Sequence, residues 1–591
     1  MMLIPLSPLH TPKLAGSALV ISVIASMGLT ACSSQQASKS MTESANSMVS
    51  QTSANAVAVS EVAPRVEMMA APTVVSGADR LTRSAIYSNT GMPSPKIMTP
   101  EMRDNYQKIA ANPIHRTIDM PVATLSIDTD TGSYANVRRY LNEGQLPPKD
   151  AVRVEEMINY FPYDFSNSRR LGRAPFVVET EVVDSPWDRA EQSNQILKVG
   201  IKAIDPAQFG QPSQQLPPAN LVFLIDTSGS MQSQDKLPLA QATLTLLTKQ
   251  LRAEDTISIV SYSGNTKVVL PATRGNDTSR IQAAIDDLQA SGSTNGEDAL
   301  KLAYNEASKS LKKGSINRIL MLTDGDFNVG ISDVDEMLGL VKANRNRGIS
   351  LSTIGFGRGN LNDYMMEQMA DSGNGNYSYI DSLAEAKKVL SDELAATFNT
   401  VAHDVKVQIE FNPAQVAEWR LIGYENRVLA EEDFNNDKVD AGELGAGKAV
   451  VALFEITPTG KQGSFNPRRY PENAAIKSTS SVAKNTNSKE LGFLKIRYKA
   501  TQGASSQLVD LPINAVNKPV PLNTAQPDTQ FAIAVAGFGQ RLQQSPYINN
   551  WQYSDSKTLA NQSLSYQTVT DYNGLRRGFV QLTELADALQ R

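Results

Sequence analysis

Leu221–Ile225 (LVFLI), set behind Pro217-Pro218 and followed at once by Asp226-Thr227-Ser228-Gly229-Ser230, decides the fold. A fully apolar run has no polar face to turn to water, so it reads as a strand buried on both sides, as in a parallel sheet covered by helices. Further along lie a helical stretch around Leu237–Leu251, an alternating strand Thr256–Tyr262 (TISIVSY), and apolar strands Ile319–Leu322 and Ile349–Ile354, with helical patterns between them. Strand and helix alternating at this pitch predict an α/β fold with a doubly wound, mostly parallel sheet. Ligands of such sheets bind in the loops beyond the strand carboxyl ends.

Three segments place side-chain oxygens at those loops: Asp226, Ser228 and Ser230 after the first strand, Thr294 in Gly292-Ser293-Thr294-Asn295-Gly296, and Asp324 in Leu322-Thr323-Asp324-Gly325. D-x-S-x-S, a distant Thr and a T-D-G behind an apolar strand resemble the metal-ion-dependent adhesion site of the von Willebrand factor type A (VWA) domain. Two carboxylates, three hydroxyls and water make a hard, oxygen-only shell, suited to octahedral Mg²⁺ or to Mn²⁺ and unsuited to zinc or copper. The resemblance further implies one coordination position left for water or for an Asp or Glu of a protein partner. Gly229 is expected to permit the tight backbone between the two serines. Asp and Ser after a strand are also common helix caps, but three loops supplying all five residues in one order favour the metal reading. Asp326 reads as a solvated loop acid or cap and stays outside the ligand set.

The flanks extend the resemblance. Pro121–Phe161 reads as a strand, a helix from about Ser133 to Asn142, a Pro147-Pro148 turn and a second helix. It resembles the N-terminal domain that accompanies the VWA domain in a family of bacterial lipoproteins, and residues from about Val405 onward resemble that family's C-terminal domain. Strand-like Phe176–Val183 and Ile196–Ile204 precede the central domain, and Val405–Phe411, Ala449–Ile456 and Leu494–Tyr498 follow it. Both flanks are strand-rich, so one β-sandwich-like domain built from both, with the VWA domain between them, is expected. Gln530–Gln543 and Gly578–Leu589 carry helical apolar spacing and read as core helices. The expected order is a signal peptide over 1–31, a tether over 32–95, and an N-terminal region over 96–175. Strands over 176–216 that join the β domain, the VWA domain over 217–400 and a β-rich C-terminal domain with a helical tail over 401–591 complete it.

Leu14–Leu29 is an uncharged apolar run behind Lys13, too short for a membrane span of roughly 20 residues, and reads as a secretory signal. Leu29-Thr30-Ala31-Cys32 resembles a bacterial lipobox, which implies acylation of Cys32, the only cysteine of the 591-residue chain. Ser33 in place of Asp implies the outer membrane. The Ser-, Ala-, Gln- and Thr-rich stretch to about Pro95 shows no period and reads as a flexible tether of roughly 40–45 Å r.m.s. span.

Composition narrows the function. With 56 basic and 61 acidic residues and a net charge of -5, the chain lacks the basic footprint of nucleic-acid binding. One cysteine makes neither an internal disulfide nor a thiolate zinc cage. Three histidines, none between His115 and His403, leave Ser228 and Ser230 without an adjacent base for nucleophilic catalysis. Asp130-Thr131-Gly132-Ser133 spells the aspartic-protease motif, yet no second copy exists and helix capping is the expected role. Gly442–Ala449 matches a phosphate loop until Ala449 replaces the required Ser or Thr, and Asp433, Asn435 and Asp437 imitate an EF-hand that Lys438 and Leu444 break. The expectation is a non-enzymatic, lipid-anchored envelope protein that grips a protein partner through a shared divalent cation. The alternative is an envelope scaffold whose metal only stabilises the fold.

Overall fold

The computed structural model describes residues 103–591 apart from 166, 188–192, 205–216, 294–295, 326–333, 391–398, 467, 469–488, 515–518 and 567–568. Cys32, the signal and tether segments, Thr294 and Asp326 lie outside the described residues. Pro95–Arg591 is one compact unit.

Along the chain, strands β1 (His115–Arg116) and β2 (Val122–Ser126) precede helices α1 (Gly132–Asn142) and α2 (Val154–Asn159). Strands β3 (Arg169–Arg170), β4 (Phe176–Asp184) and β5 (Gln195–Ala203) follow. The central domain runs β6 (Ala219–Asp226), α3 (Leu237–Thr248), β7 (Thr256–Tyr262), β8 (Thr266–Arg274), α4 (Thr278–Asp286), α5 (Gly296–Lys309) and β9 (Ile316–Thr323). It continues through α6 (Val334–Arg345), β10 (Ser350–Phe356), α7 (Asp363–Ser372), β11 (Tyr377–Ile380) and α8 (Leu383–Lys388). Beyond it come β12 (Thr400–Phe411), β13 (Val416–Ile422), β14 (Leu444–Gly445), β15 (Ala449–Pro458), β16 (Glu490–Lys499) and β17 (Gln507–Asn514). Helices α9 (Pro527–Leu542), α10 (Tyr553–Leu564) and α11 (Leu575–Gln590) close the chain.

The central sheet has the order β11-β10-β9-β6-β7-β8, parallel except for β8, which forms an antiparallel edge hairpin with β7. Every residue of β6 is buried, which is why its apolar run tolerates no alternation. One apolar core fills each face of the sheet: Phe223, Leu244 and Phe356 belong to one, Leu224, Ala303 and Val341 to the other. From β6 the chain moves out to β7 and β8, then returns to β9 on the other side. The reversal puts a crevice between the ends of β6 and β9, the expected ligand position in such sheets.

The strands before and after the central domain share a second structure. β5 pairs with β4 on one side and with β15 on the other, from Ala449–Lys202 to Ile456–Gln195. The complete sheet is β1-β13-β15-β5-β4-β3, and it faces a sheet of β14, β12, β16 and β17 with β2 added beside β12. Phe176, Val199, Phe411, Phe454 and Ile496 interdigitate between them as a sandwich core. Helices α9 and α11 pack with α1 and α2 in a further core around Phe161, Phe531, Phe538 and Phe579.

Buried ion pairs bind the central domain to its flanks. Arg153, at the start of α2, pairs with Glu156 and with Asp363 on α7, and Arg427, beyond β13, reaches Glu367 and Asp371 on α7 as well as Asp128 and Asp130. On another side, Arg138 of α1 bridges Asp381 and Glu385, and the Tyr160 hydroxyl donates to Glu385 at 2.6 Å. The expected capping role of Asp130 is not what the fold uses: Thr131 stands at the N-cap of α1 without a side-chain cap. Asp130 instead accepts from the backbone N–H of Tyr377 in β11 at 3.0 Å, while Glu156 accepts from the N–H of Ser133. A buried carboxylate gains more from a fixed N–H and an arginine across the interface than from a helix end that Glu156 already serves. The Gly442–Ala449 stretch leads through β14 into a strand, not a helix, and Asp437 and Asn435 are engaged by Ser506 and Arg497, so neither imitated motif forms its site.

Six acids around two arginines leave the network with excess negative charge. Burial pushes Glu367 up to about 8 and Glu156 up to about 7, with Arg153 offsetting part of each shift. Their folded-state values exceed the unfolded ones, so the folded chain keeps protons that the unfolded chain releases between about pH 4.5 and 8, and stability falls as pH rises through that window. Glu367→Gln is expected to flatten this fall by about 1–3 kcal/mol between pH 5 and 8, measured as the pH dependence of urea unfolding. An unchanged slope would remove Glu367 from the account.

Candidate metal centre

The crevice between β6 and β9 gathers four of the five residues expected from sequence. Asp226 ends β6 and Thr323 ends β9, one register step beyond the Ile225–Leu322 pair. Thr323 therefore donates its hydroxyl to Asp226 Oδ2 at 2.9 Å, and its own Oγ1 accepts from the N–H of Gly325 at 3.0 Å, folding the T-D-G turn over the strand end. The N–H of Ser228 donates to Asp226 Oδ1 at 2.8 Å, turning the D-x-S-x-S loop back on itself. A short 3₁₀ turn over Gly229–Gln232 then carries Ser230 beside Ser228, their hydroxyl oxygens 2.9 Å apart.

The third loop docks on the first through its backbone. Ser291 N–H donates to Thr227 O at 2.8 Å and Gly229 N–H to Gly292 O at 2.9 Å, so the strand of loop entering Thr294 is hydrogen-bonded to D-x-S-x-S. The demanding backbone positions are Gly292 and Gly325, with φ of +78° and +87°, not Gly229, whose φ is not positive. At Gly325 a Cβ would lie 2.2 Å from the backbone nitrogen of Asn362. Gly229 contributes closeness to Gly292 instead of a left-handed turn, which corrects the expectation placed on it.

Both carboxylates are out of water: Asp226 is 0% and Asp324 1% exposed, with Ser228 also buried and Ser230 at the rim. Burial, then the neighbouring Asp324 charge, pushes Asp226 up to about 7. Sequence reasoning missed the residue that answers this charge. Lys236, just before α3, sends its ammonium to Asp324 Oδ2 at 2.8 Å, and both side chains are buried. Its methylene stem runs under Gly357, where a Cβ would come within 2.2 Å of Lys236 Cγ. The available signal was its isolation: Lys236 is the only basic residue between Asp226 and Lys249.

The donor set fits a small divalent cation. The donors at this loop cluster are the hydroxyls of Ser228 and Ser230 and the carboxylates of Asp226 and Asp324, all oxygen. The Ser228 and Ser230 hydroxyls are joined by a hydrogen bond of 2.9 Å, which keeps both oxygens at the same loop. Asp226 and Asp324 are two acids against the one ammonium of Lys236, so the pocket is not saturated by its own lysine.

Lys236→Met tests that charge balance. Removing the lysine from buried Asp324 is expected to cost the metal-free chain about 3–5 kcal/mol, measured by urea unfolding in EDTA. Millimolar Mg²⁺ is expected to restore more stability to the variant than it adds to the wild type; equal increments would contradict the balance.

Family profiles match the chain in three places: one described as von Willebrand factor over residues 100–196, the von Willebrand factor type A domain over 220–392, and "Uncharacterized protein YfbK, C-terminal" over 396–589. The chain is 48% identical over 490 residues to YfbK of Escherichia coli (strain K12), an overlap of 82% of this chain and 81% of that relative. It is 32% identical over 169 residues to the Synechocystis protein sll0103, covering 29% of this chain and 39% of that one. With inter-alpha-trypsin inhibitor heavy chain H3 of Bos taurus it shares 30% identity over 283 residues, 44% of this chain and 31% of the relative. The match thus spans well under half the length of these last two relatives. A solved von Willebrand factor type A protein from Catenulispora acidiphila is 14% identical with a TM-score of 0.37, covering 68% of this chain and 89% of that one.

Proposed function

The chain belongs to the YfbK family and carries its VWA domain between strands of a flanking sandwich, and on that premise we propose that it is a cation-dependent protein-binding protein of the bacterial envelope. VWA domains commonly bind divalent ions such as Mg²⁺ and mediate protein–protein contacts. The observation that supports the reading is the meeting, at the ends of β6 and β9, of the Ser228 and Ser230 hydroxyls with the buried Asp226 and Asp324 carboxylates.

In this reading Ser228 and Ser230, with Thr294 from the adjoining loop, hold Mg²⁺ or Mn²⁺, while Asp226 and Asp324 balance its charge directly or through water. With Lys236 in place, a bound divalent ion leaves one net positive charge, which an Asp or Glu oxygen of the partner neutralises. Asp226 fixes the loop by accepting from Ser228 and Thr323, and Lys236 restrains Asp324. The histidines support binding over hydrolysis: His115 packs on Trp419 and His403 pairs with Glu443, both in the sandwich. Acylation at Cys32, with the tether behind it, would hold the folded part at the outer membrane; this part rests on the lipobox-like sequence alone.

Capture from envelope extracts tests the reading, with the intact chain and Asp226→Ala each in Mg²⁺ and in EDTA. The expected result is a partner recovered by the wild type in Mg²⁺, lost in EDTA and in Asp226→Ala, and regained when Mg²⁺ is returned to the wild type. Equal capture under all conditions would overturn it and favour a scaffold role.

A further inference from the structure

The loop between β10 and α7, residues 357–362, lies against two parts of the metal centre. Gly357, with φ of +65°, passes so close to Lys236 that a Cβ there would lie 2.2 Å from its Cγ and 2.5 Å from its Cε. Leu361 and Asn362 back onto Gly325 of the T-D-G turn, where a Cβ would lie 2.9 Å from Leu361 Cα and 2.2 Å from the nitrogen of Asn362. The loop therefore fixes both where the Lys236 stem can run and how tightly the chain turns after Asp324. The central domain does not hold this loop alone, because chain from the N-terminal region crosses it. Arg103 N–H donates to Gly359 O at 3.0 Å and Asn105 N–H to Leu361 O at 2.7 Å, and Asn105 forms a parallel bridge with Asn362.

Asp104 is the centre of this contact, with a buried side chain. Its Oδ1 accepts from the N–H groups of both Gly359 and Leu361, at 2.9 and 3.0 Å. Its Oδ2 accepts from Arg139 Nη2 and from the Tyr140 hydroxyl, each at 3.0 Å, and from the Tyr106 hydroxyl at 3.3 Å. A charged oxygen that takes alternate N–H groups of one loop holds that loop in one shape, and charge-assisted bonds of this kind are among the stronger ones. Leu361 then drops its side chain into a small core with Ala135, Met366, Tyr377 and Tyr379, against which Tyr106 packs. Asp104 lies outside the residues 220–392 that match the VWA profile, so no spacing within the domain's motif points to it.

We propose that Asp104 is a positioning residue for the metal centre: by gathering the loop over 357–362 it holds Lys236 and the T-D-G turn in the arrangement that receives the cation. Cation affinity then depends on a strap, residues 103–106, that comes from outside the VWA domain. The inference rests on the metal reading of Asp226, Ser228, Ser230 and Asp324. Coupling of this kind is reciprocal, so a cation bound at the loops tightens the strap as the strap tightens the site.

The test uses the full chain. Mn²⁺ titration, followed by loss of the free-ion paramagnetic resonance signal, compares wild type, Asp104→Ala, Asp104→Asn and, as the site control, Ser228→Ala/Ser230→Ala. Expected is wild-type binding that the serine variant lacks, a roughly tenfold or greater loss of affinity in Asp104→Ala, and a smaller loss in Asp104→Asn, whose Oδ1 still accepts from both loop N–H groups. Hydrogen exchange on the wild type needs no variant and carries the test should Asp104→Ala fold poorly: Mg²⁺ is expected to slow exchange in 103–106 and 357–362. A residue that only pinned the N-terminal chain would lower the urea midpoint and move neither Mn²⁺ affinity nor Mg²⁺-dependent exchange. Wild-type affinity in folded Asp104→Ala, or exchange in both segments indifferent to saturating Mg²⁺, would overturn the role of Asp104 and leave the metal centre standing. No Mn²⁺ binding by the wild type would overturn both.

Discussion

The pairing of β5 with β15 governs the architecture, because it joins chain on either side of an inserted domain into one sheet. The central domain leaves that sheet after Ala203 and returns at Thr400 into β12, which belongs to the facing sheet. Its two ends are thus fixed to opposite layers of one sandwich, whose sheets pack about 10 Å apart. Arg153 and Arg427 on one side and Arg138 on the other fasten α7 and α8 to the flanks. Mobility of the metal loops must then come from the loops themselves, since the sheet that carries them is anchored at both ends.

Much of this was legible because it is local. LVFLI has only one comfortable environment, and D-x-S-x-S directly behind it places its oxygens on the loop the strand must make. Alternation in Phe176–Val183 and Ile196–Ile204, matched by Ala449–Ile456, was enough to anticipate a sandwich drawn from both flanks, since a half-buried strand pair needs further partners. What stayed hidden depends on distant contacts. Asp130 sits where a cap belongs, but the N–H of Tyr377 and the side chain of Arg427 arrive from far along the chain and claim it. Lys236 looks like an ordinary residue before a helix until β9 brings Asp324 to its ammonium. Gly292 and Gly325, not Gly229, carry the positive φ, which no motif spacing specifies.

The site's chemistry follows from charge placed where water cannot reach it. Two carboxylates lie at the ends of adjacent buried strands; burial and the Asp324 charge push the Asp226 carboxyl up, and the single lysine, at Asp324, answers only one of the two acids. The paired serine hydroxyls beside two acids make an all-oxygen donor set, the kind that suits a hard, small ion.

Anomalous scattering from crystals of the full folded chain grown in Mn²⁺ tests the central claim most directly. The account predicts one strong peak within bonding distance of Ser228 Oγ and Ser230 Oγ, absent from crystals of the Ser228→Ala/Ser230→Ala variant. Fully occupied Mn²⁺ elsewhere with none between those hydroxyls, or a peak unchanged in the variant, would contradict it.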